Sequence, residues 1–341
     1  MSLEFRHIAH AYGDVAALKA VSFSANAGEI TCLLGSSGCG KSTLLNLAAG
    51  LLEVQEGSVS VGGEVMAEPG RNPPPEARPV GLVFQDGALF PHMTIAKNIA
   101  FGLPRSSASE AVIEDWLERV GLSGLGGRYP HELSGGQQQR AALARAMAPG
   151  PKVLLMDEPF ASVDIVLRRR LRRDCRRLLR EAGTTTVMVT HDPEEALDVG
   201  DRIAVMEGGR IVQFGTPEDL HERPATASVG AIFGGAQILV AAREGEQLRT
   251  PLGIWPLASV SGDIPQGPDL DLLIHAEALE CAPDAGGLAV LDVHPLGVAS
   301  RVLVKSENGE EISIQTTSPV EEGQRYRVTP RAGSVRAFKR D

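Results

Sequence analysis

Gly35, Ser36, Ser37, Gly38, Cys39, Gly40, Lys41, Ser42 and Thr43 run in the pattern G-x-x-x-x-G-K-[ST]. Glycines at these places let backbone N–H groups turn inward around a phosphate without a Cβ in the way. A helix starting near Lys41 adds partial positive charge at its N-terminus. Lys41 can then reach the β- and γ-phosphates of a nucleoside triphosphate, and the Ser42 hydroxyl can ligate Mg²⁺. Cys39 stands inside this loop, where a helix N-terminus favours thiolate.

Two further segments have the residue types for phosphate chemistry. Residues 153–156 are apolar and end in Asp157-Glu158-Pro159. A strand-end Asp beside a phosphate loop holds Mg²⁺, and the Glu after it polarises the attacking water. We therefore assign Asp157 to the metal and Glu158 to the water. Leu133, Ser134, Gly135, Gly136 and Gln137 precede an Ala-rich stretch, 141–148. There Ser134 caps a helix and the two glycines expose its first amides, making a second anion site.

These residues need strands that end at loops and helices that begin there. Residues 30–34 are almost wholly apolar and stop at Gly35, as a buried strand entering a tight loop does. Helix-forming composition follows over 41–51. Strand signals return at 153–156 and 185–190, with a basic helix at 166–181 whose arginines read as a solvated face. Residues 94–148 read as helical, broken at 121–127. Buried strands alternating with helices predict an α/β parallel sheet carrying a helical subdomain, about 86–148. Past Pro224 the helix signals fade into short alternating segments at 288–293, 301–305, 311–315 and 326–329, which predicts a small all-β barrel.

The bulk properties agree with this division. A chain of 341 residues exceeds one compact core. With 43% hydrophobic and 22% charged residues it is not a disordered chain, and a net charge of −10 argues against nucleic acid as partner. Cys32, Cys39, Cys175 and Cys281 form no CxxC pair, so we expect free thiols in a reducing compartment. The N-terminus lacks the apolar core of a signal peptide. The apolar stretch 44–52, interrupted by Asn46 and Gly50, falls far short of the roughly 20 residues that span a bilayer. A membrane role is expected only through a partner.

With Leu-Ser-Gly-Gly-Gln at 133–137, the chain resembles the ATP-binding cassette (ABC) ATPases, over residues 1 to about 228. Further family elements match in order. Tyr12 stands at the adenine-stacking aromatic, Gln85 at the loop that senses Mg²⁺ and contacts the membrane subunit, and His191 at the switch that contacts the γ-phosphate. Ala161-Ser162-Val163-Asp164 stands at the D-loop, its small residues swapped relative to the commoner Ser-Ala-Leu-Asp, with Asp164 kept as a dimer contact.

The resemblance implies ATP and Mg²⁺ as cofactors, with Ser42, Gln85 and Asp157 at the metal and Glu158 and His191 catalytic. It implies a homodimer in which Ser134, Gly135, Gly136 and Gln137 of one chain complete the phosphate loop of the other. ATP-driven closure would power membrane permease subunits docked at Gln85 and the segment 89–93, at the cytoplasmic face of the cell membrane. A solute-binding protein would take part indirectly.

A single phosphate loop, with no room for a coiled coil between Lys41 and Ser134, sets the chain apart from ABC ATPases of translation and DNA repair. A β domain at 229–341, of regulatory (TOBE-like, OB-type) kind, resembles the importer branch. Within it, Phe84-Gln85-Asp86-Gly87-Ala88-Leu89-Phe90-Pro91-His92 and Arg128-Tyr129-Pro130-His131-Glu132 look like ferric-iron ATPases, ahead of polyamine, thiamine, sulfate or sugar members. The spacing of His275, Cys281 and His294 fits no metal pattern.

Overall fold

A computed structural model describes residues 1–104, 109–161, 165–306 and 309–340. The chain divides into two compact units, Met1–Pro217 and Glu218–Asp341.

In the first unit β1 (Leu3–Tyr12) and β2 (Val15–Ala25) form a hairpin, and β3 (Ile30–Leu34) leads through the phosphate loop into α1 (Lys41–Ala49). β4 (Glu56–Val61), β5 (Glu64–Ala67) and β6 (Val80–Val83) follow, then the helices α2 (Ile95–Ala100), α3 (Glu110–Arg119) and α4 (Gly135–Met147). The chain returns through β7 (Val153–Asp157), α5 (Ile165–Ala182), β8 (Thr185–Thr190), α6 (Pro193–Val199), β9 (Arg202–Glu207) and β10 (Arg210–Gly215).

Two sheets result. One is antiparallel, β2-β1-β4-β5. The other runs β10-β9-β3-β8-β7-β6, parallel throughout except for β10 at its edge. β3 and β8 are buried at every position, which is why their sequences show continuous apolar and threonine runs rather than alternation. Leu33, Leu44, Leu47, Leu155 and Val187 join Phe5, Val21 and Val59 in one core beneath α1 and both sheets. Register decides the rest: Leu34 pairs with Thr190 and Asp157 with Val189. Adjacent strands lie about 4.8 Å apart, so Gly35, Glu158 and His191 leave the sheet side by side.

In the second unit α7 (Pro217–Glu222) and α8 (Ala227–Gly234) precede nine strands: β11 (Gln237–Glu244), β12 (Gln247–Thr250), β13 (Gly253–Pro256), β14 (Asp269–Ile274), β15 (Leu279–Pro295), β16 (Ser300–Lys305), β17 (Glu311–Thr316), β18 (Arg325–Pro330) and β19 (Val335–Lys339). They pair as β13-β12-β11-β14-β19 and β17-β16-β15-β18 and curl around one core as a half-barrel of OB/TOBE-like kind. Trp255 lies at the centre, 1% exposed, its indole N–H donating to the Val328 carbonyl of the other sheet at 3.0 Å.

One expectation is corrected here. Helix does not end near Pro224, because Thr226 accepts the Val229 N–H and caps α8. The Gly230 backbone then lies against Leu273, where a Cβ would meet Cδ2 at 2.3 Å. Two glycines in an apolar octet hide that helix from a propensity reading.

Candidate active site

The candidate phosphate-binding residues sit at the ends of β3, β7 and β8. At Gly35 a Cβ would lie 2.3 Å from the Met206 carbonyl oxygen, and at Gly40 one would lie 2.6 Å from that of Ala17. Gly40 also caps α1 at φ 101°, so both places demand glycine. Lys41 is 5% exposed. Its ammonium donates to the carbonyls of Gly35 (2.7 Å) and Ser36 (2.9 Å) and lies 3.7 Å from Cys39 Sγ. The loop thus keeps a buried cation at a helix N-terminus, the combination that complements a phosphate chain.

Ser42 Oγ donates to Asp157 Oδ1 at 3.2 Å. Burial raises the Asp157 carboxyl above the ordinary carboxylate range and the Glu158 charge pushes the same way, while the Ser42 hydrogen bond and Lys41 oppose them. A hydroxyl and a poorly solvated carboxylate, side by side, are the hard oxygen donors that Mg²⁺ takes alongside phosphate oxygens.

Glu158 has φ 41°, a left-handed conformation that costs a non-glycine residue on the order of 1–3 kcal/mol. Its N–H donates to the Val189 carbonyl at 3.0 Å, so the bend is tied to β8. The side chain then meets His191, whose Nδ1 lies 3.1 Å from Glu158 Oε1. Near the phosphate loop the Tyr12 hydroxyl lies 3.3 Å from Thr43 Oγ1, and the half-exposed ring packs edge-on against His10 at 4.9 Å. Tyr12, the glycine loop, Asp157, Glu158 and His191 are therefore one constellation, open on the side where Tyr12 and His191 are exposed.

The chain is similar to known proteins. The family model described as ABC transporter matches residues 18–161. The chain is 40% identical over 314 residues to the Fe(3+) ions import ATP-binding protein FbpC 2 of Rhodococcus jostii, covering 91% of this chain and 89% of that one. It is 40% identical over 344 residues to the Sulfate/thiosulfate import ATP-binding protein CysA of Bradyrhizobium diazoefficiens, covering 97% and 98%. The chain belongs to the ABC transporter ATP-binding family. The ADP conformation of MJ1267, an ATP-binding cassette of an ABC transporter, matches with a TM-score of 0.58 and 28% identity over 67% of this chain and 98% of that one. As an ABC ATPase, the protein binds and hydrolyses ATP.

The family's signature segment lies apart from this constellation, on the helical subdomain. Ser134 is the N-cap of α4, and Gln137 Oε1 accepts the Ser134 N–H at 2.9 Å. Ser134 and Gly135 are exposed. No hydrogen bond or ion pair among the described residues joins them to the phosphate loop of the same ABC chain. Gln85 is exposed in the loop after β6. Asp164 lies outside the described residues.

Sequence reasoning missed the residues that hold these parts in place. Asn98 is fully buried; it accepts the Phe90 N–H (2.8 Å) and donates to the carbonyls of Phe90, Met93 and Thr94. Arg145 donates to the carbonyls of Ala88 and Gly87 and covers the Phe90 ring at 5.2 Å. Together they shape segment 89–93, in which Pro91 and His92 are exposed while Leu89, Phe90 and Met93 are half-buried. Arg78 donates to the Leu47 (2.6 Å) and Ala48 (3.1 Å) carbonyls at the end of α1, satisfying acceptors that the helix leaves open. The expectation of a solvated face on α5 is corrected at Arg172, which is 2% exposed. Asn98 and Arg78 carry no local signal in the sequence, because their partners are backbone atoms.

Proposed function

We propose that this protein is the ATP-hydrolysing subunit of an importer for ferric iron, working as a homodimer beneath membrane permease subunits at the cytoplasmic face. The observation that carries the reading is the joining of Lys41, Ser42, Asp157, Glu158 and His191 at three neighbouring strand ends. In this reading residues 1–228 are the cassette and 229–341 the regulatory β domain.

Tyr12 stacks on adenine, and Gly35 to Thr43 wrap the phosphates, with Lys41 on the β- and γ-oxygens. Ser42, Asp157 and Gln85 would hold Mg²⁺, whose charge offsets that of the phosphates. Glu158 orients and polarises the attacking water, and His191 contacts the γ-phosphate. Ser134, Gly135, Gly136 and Gln137 have no such role within their own chain. The helix N-terminus at exposed Ser134 and Gly135, with Gly136 buried behind them, suits the γ-phosphate held by a second copy, with Asp164 as the contact across the two-fold axis. Closure around two ATP molecules then drives the permease through Gln85 and segment 89–93, and a solute-binding protein delivers the cargo from outside.

Trapping tests the engine. Glu158→Gln should bind ATP and accumulate as a dimer in size-exclusion chromatography, whereas a monomer at saturating ATP refutes the shared site. A specific observation favours a second cargo, sulfate: the sulfate/thiosulfate relative aligns over 97% of this chain. Uptake of radiolabelled ferric iron and of sulfate by cells lacking the chain separates the two. Loss of iron uptake alone supports the proposal, and loss of sulfate uptake alone replaces it.

A further inference from the structure

Helix α5 carries eight arginines between Arg168 and Arg180. Arg172 alone of these has a side chain only 2% exposed. Its guanidinium faces the acids of α6 and of that helix's N-cap. Nη2 donates to Asp192 Oδ2 at 2.7 Å and to Glu195 Oε1 at 3.3 Å. Nη1 donates to Asp198 Oδ2 at 3.2 Å and lies 3.6 Å from Glu194. Arg168 adds a second cation 3.8 Å from Asp192. Stability is a poor explanation for such a group, since buried ion pairs roughly break even against apolar replacements.

The explanation lies in what the acids hold with their other oxygens. Asp192 Oδ1 accepts the Glu194 N–H and starts α6, while the Asp192 N–H donates to Thr190 Oγ1 at 3.0 Å. Glu195 Oε2 accepts the Thr190 hydroxyl at 2.6 Å. Thr190 and Asp192 are the two neighbours of His191. Each therefore ends on a carboxylate whose second oxygen Arg172 holds. His191 itself is half exposed, with Nδ1 against Glu158 Oε1, so the backbone on either side of it helps to set its place.

We propose that Arg172 is a positioning residue for His191: one buried guanidinium clamps the backbone on both sides of the histidine and so holds its imidazole against Glu158. The inference rests on the reading of His191 as the γ-phosphate contact. It predicts a device of catalysis rather than of ATP affinity, because no hydrogen bond or ion pair among the described residues joins Arg172 or its acids to the phosphate loop.

The test is a kinetic cycle on the full chain with Arg172→Lys, His191→Gln and the double variant. Lys keeps the charge but cannot bridge Asp192, Glu195 and Asp198 at once. We expect Arg172→Lys to lower kcat about 10- to 100-fold with KM for ATP changed by less than about threefold. In the His191→Gln background the same change should cost less than about twofold, because the group it positions is gone. Thr190→Val removes both hydrogen bonds of the Thr190 hydroxyl, to Glu195 and from the Asp192 N–H, while Arg172 keeps its ion pairs. It should show the same pattern at about three- to tenfold, and it decides the matter if Arg172→Lys does not fold. Equal losses in both backgrounds, or a raised KM at unchanged kcat, overturn the clamp alone. Full kcat in His191→Gln overturns the switch reading and the clamp with it.

Discussion

The two units bury different things. In the ATPase unit Lys41, Arg78, Arg172 and Glu195 are buried with Asn98 and Gln139. In the C-terminal unit the buried polar residues among those described are hydroxyls, Thr250, Ser259, Ser306 and Thr316. A buried charge needs a partner, and removing that partner alone leaves the charge uncompensated. The first unit therefore adds directed polar contacts to its apolar core, some of them beside the candidate site. The second is held by an apolar core around Trp255, in which shape and volume decide. Strain follows the same division: the left-handed non-glycine residues among those described, His7, Ala20, Ala88 and Glu158, all lie in the first unit.

The contrast yields predictions that run from chemistry to bare surface. Glu158→Gln should lower steady-state ATP hydrolysis by about 10²- to 10⁴-fold while ATP still binds, the range of a lost general base. Near-normal turnover in a phosphate-release assay would break the link between strain and function at this strand end. Trp255→Ala should cost the β unit about 3–5 kcal/mol, the range for an aromatic removed from a core. Denaturant unfolding followed by the remaining tryptophan, Trp116, and by circular dichroism should then show two transitions, with ATP hydrolysis kept within about twofold. A loss of hydrolysis in step with the β unit would show that the two units do not divide the labour.

Arg78→Met keeps the volume but strips the end of α1 of its donors. About 1–3 kcal/mol is expected from the carbonyls of Leu47 and Ala48 left unpaired. A melting point equal to the parent's would mean that water replaces the guanidinium. Val298→Ser, at a hairpin tip 93% exposed, should change stability by less than about 0.5 kcal/mol. A larger loss there would show that the β unit has polar or interfacial demands of its own.

Much of the site is legible in the order of its residues. Gly35 to Thr43 and Asp157-Glu158 announce themselves because each meets a local requirement: a glycine for a backbone without room, an acid at the end of an apolar strand. The helical subdomain is legible for the same reason, as α2, α3 and α4 fill much of the stretch that reads as helix. The supports are not. Asn98 looks like any helical asparagine until the carbonyls of Phe90, Met93 and Thr94 surround it. Arg172 looks like one of a row of solvated arginines until α6 closes over it. In the β unit the strands β11, β12, β13, β14 and β19 escape notice because Gly and Pro punctuate short segments, and α8 because its composition is apolar without a period.

Residue types and their order along the chain nominate the candidates for phosphate, metal and water, and point to a parallel sheet behind them. Those are properties of residue type and of neighbours along the chain. Packing sets Leu34 opposite Thr190 and Asp157 opposite Val189, which brings the phosphate loop, Glu158 and His191 to one edge. It alone decided which arginine of eight is buried against Asp192 and Glu195. Register and burial depend on groups far apart in sequence, and their energies exist only once the elements have packed.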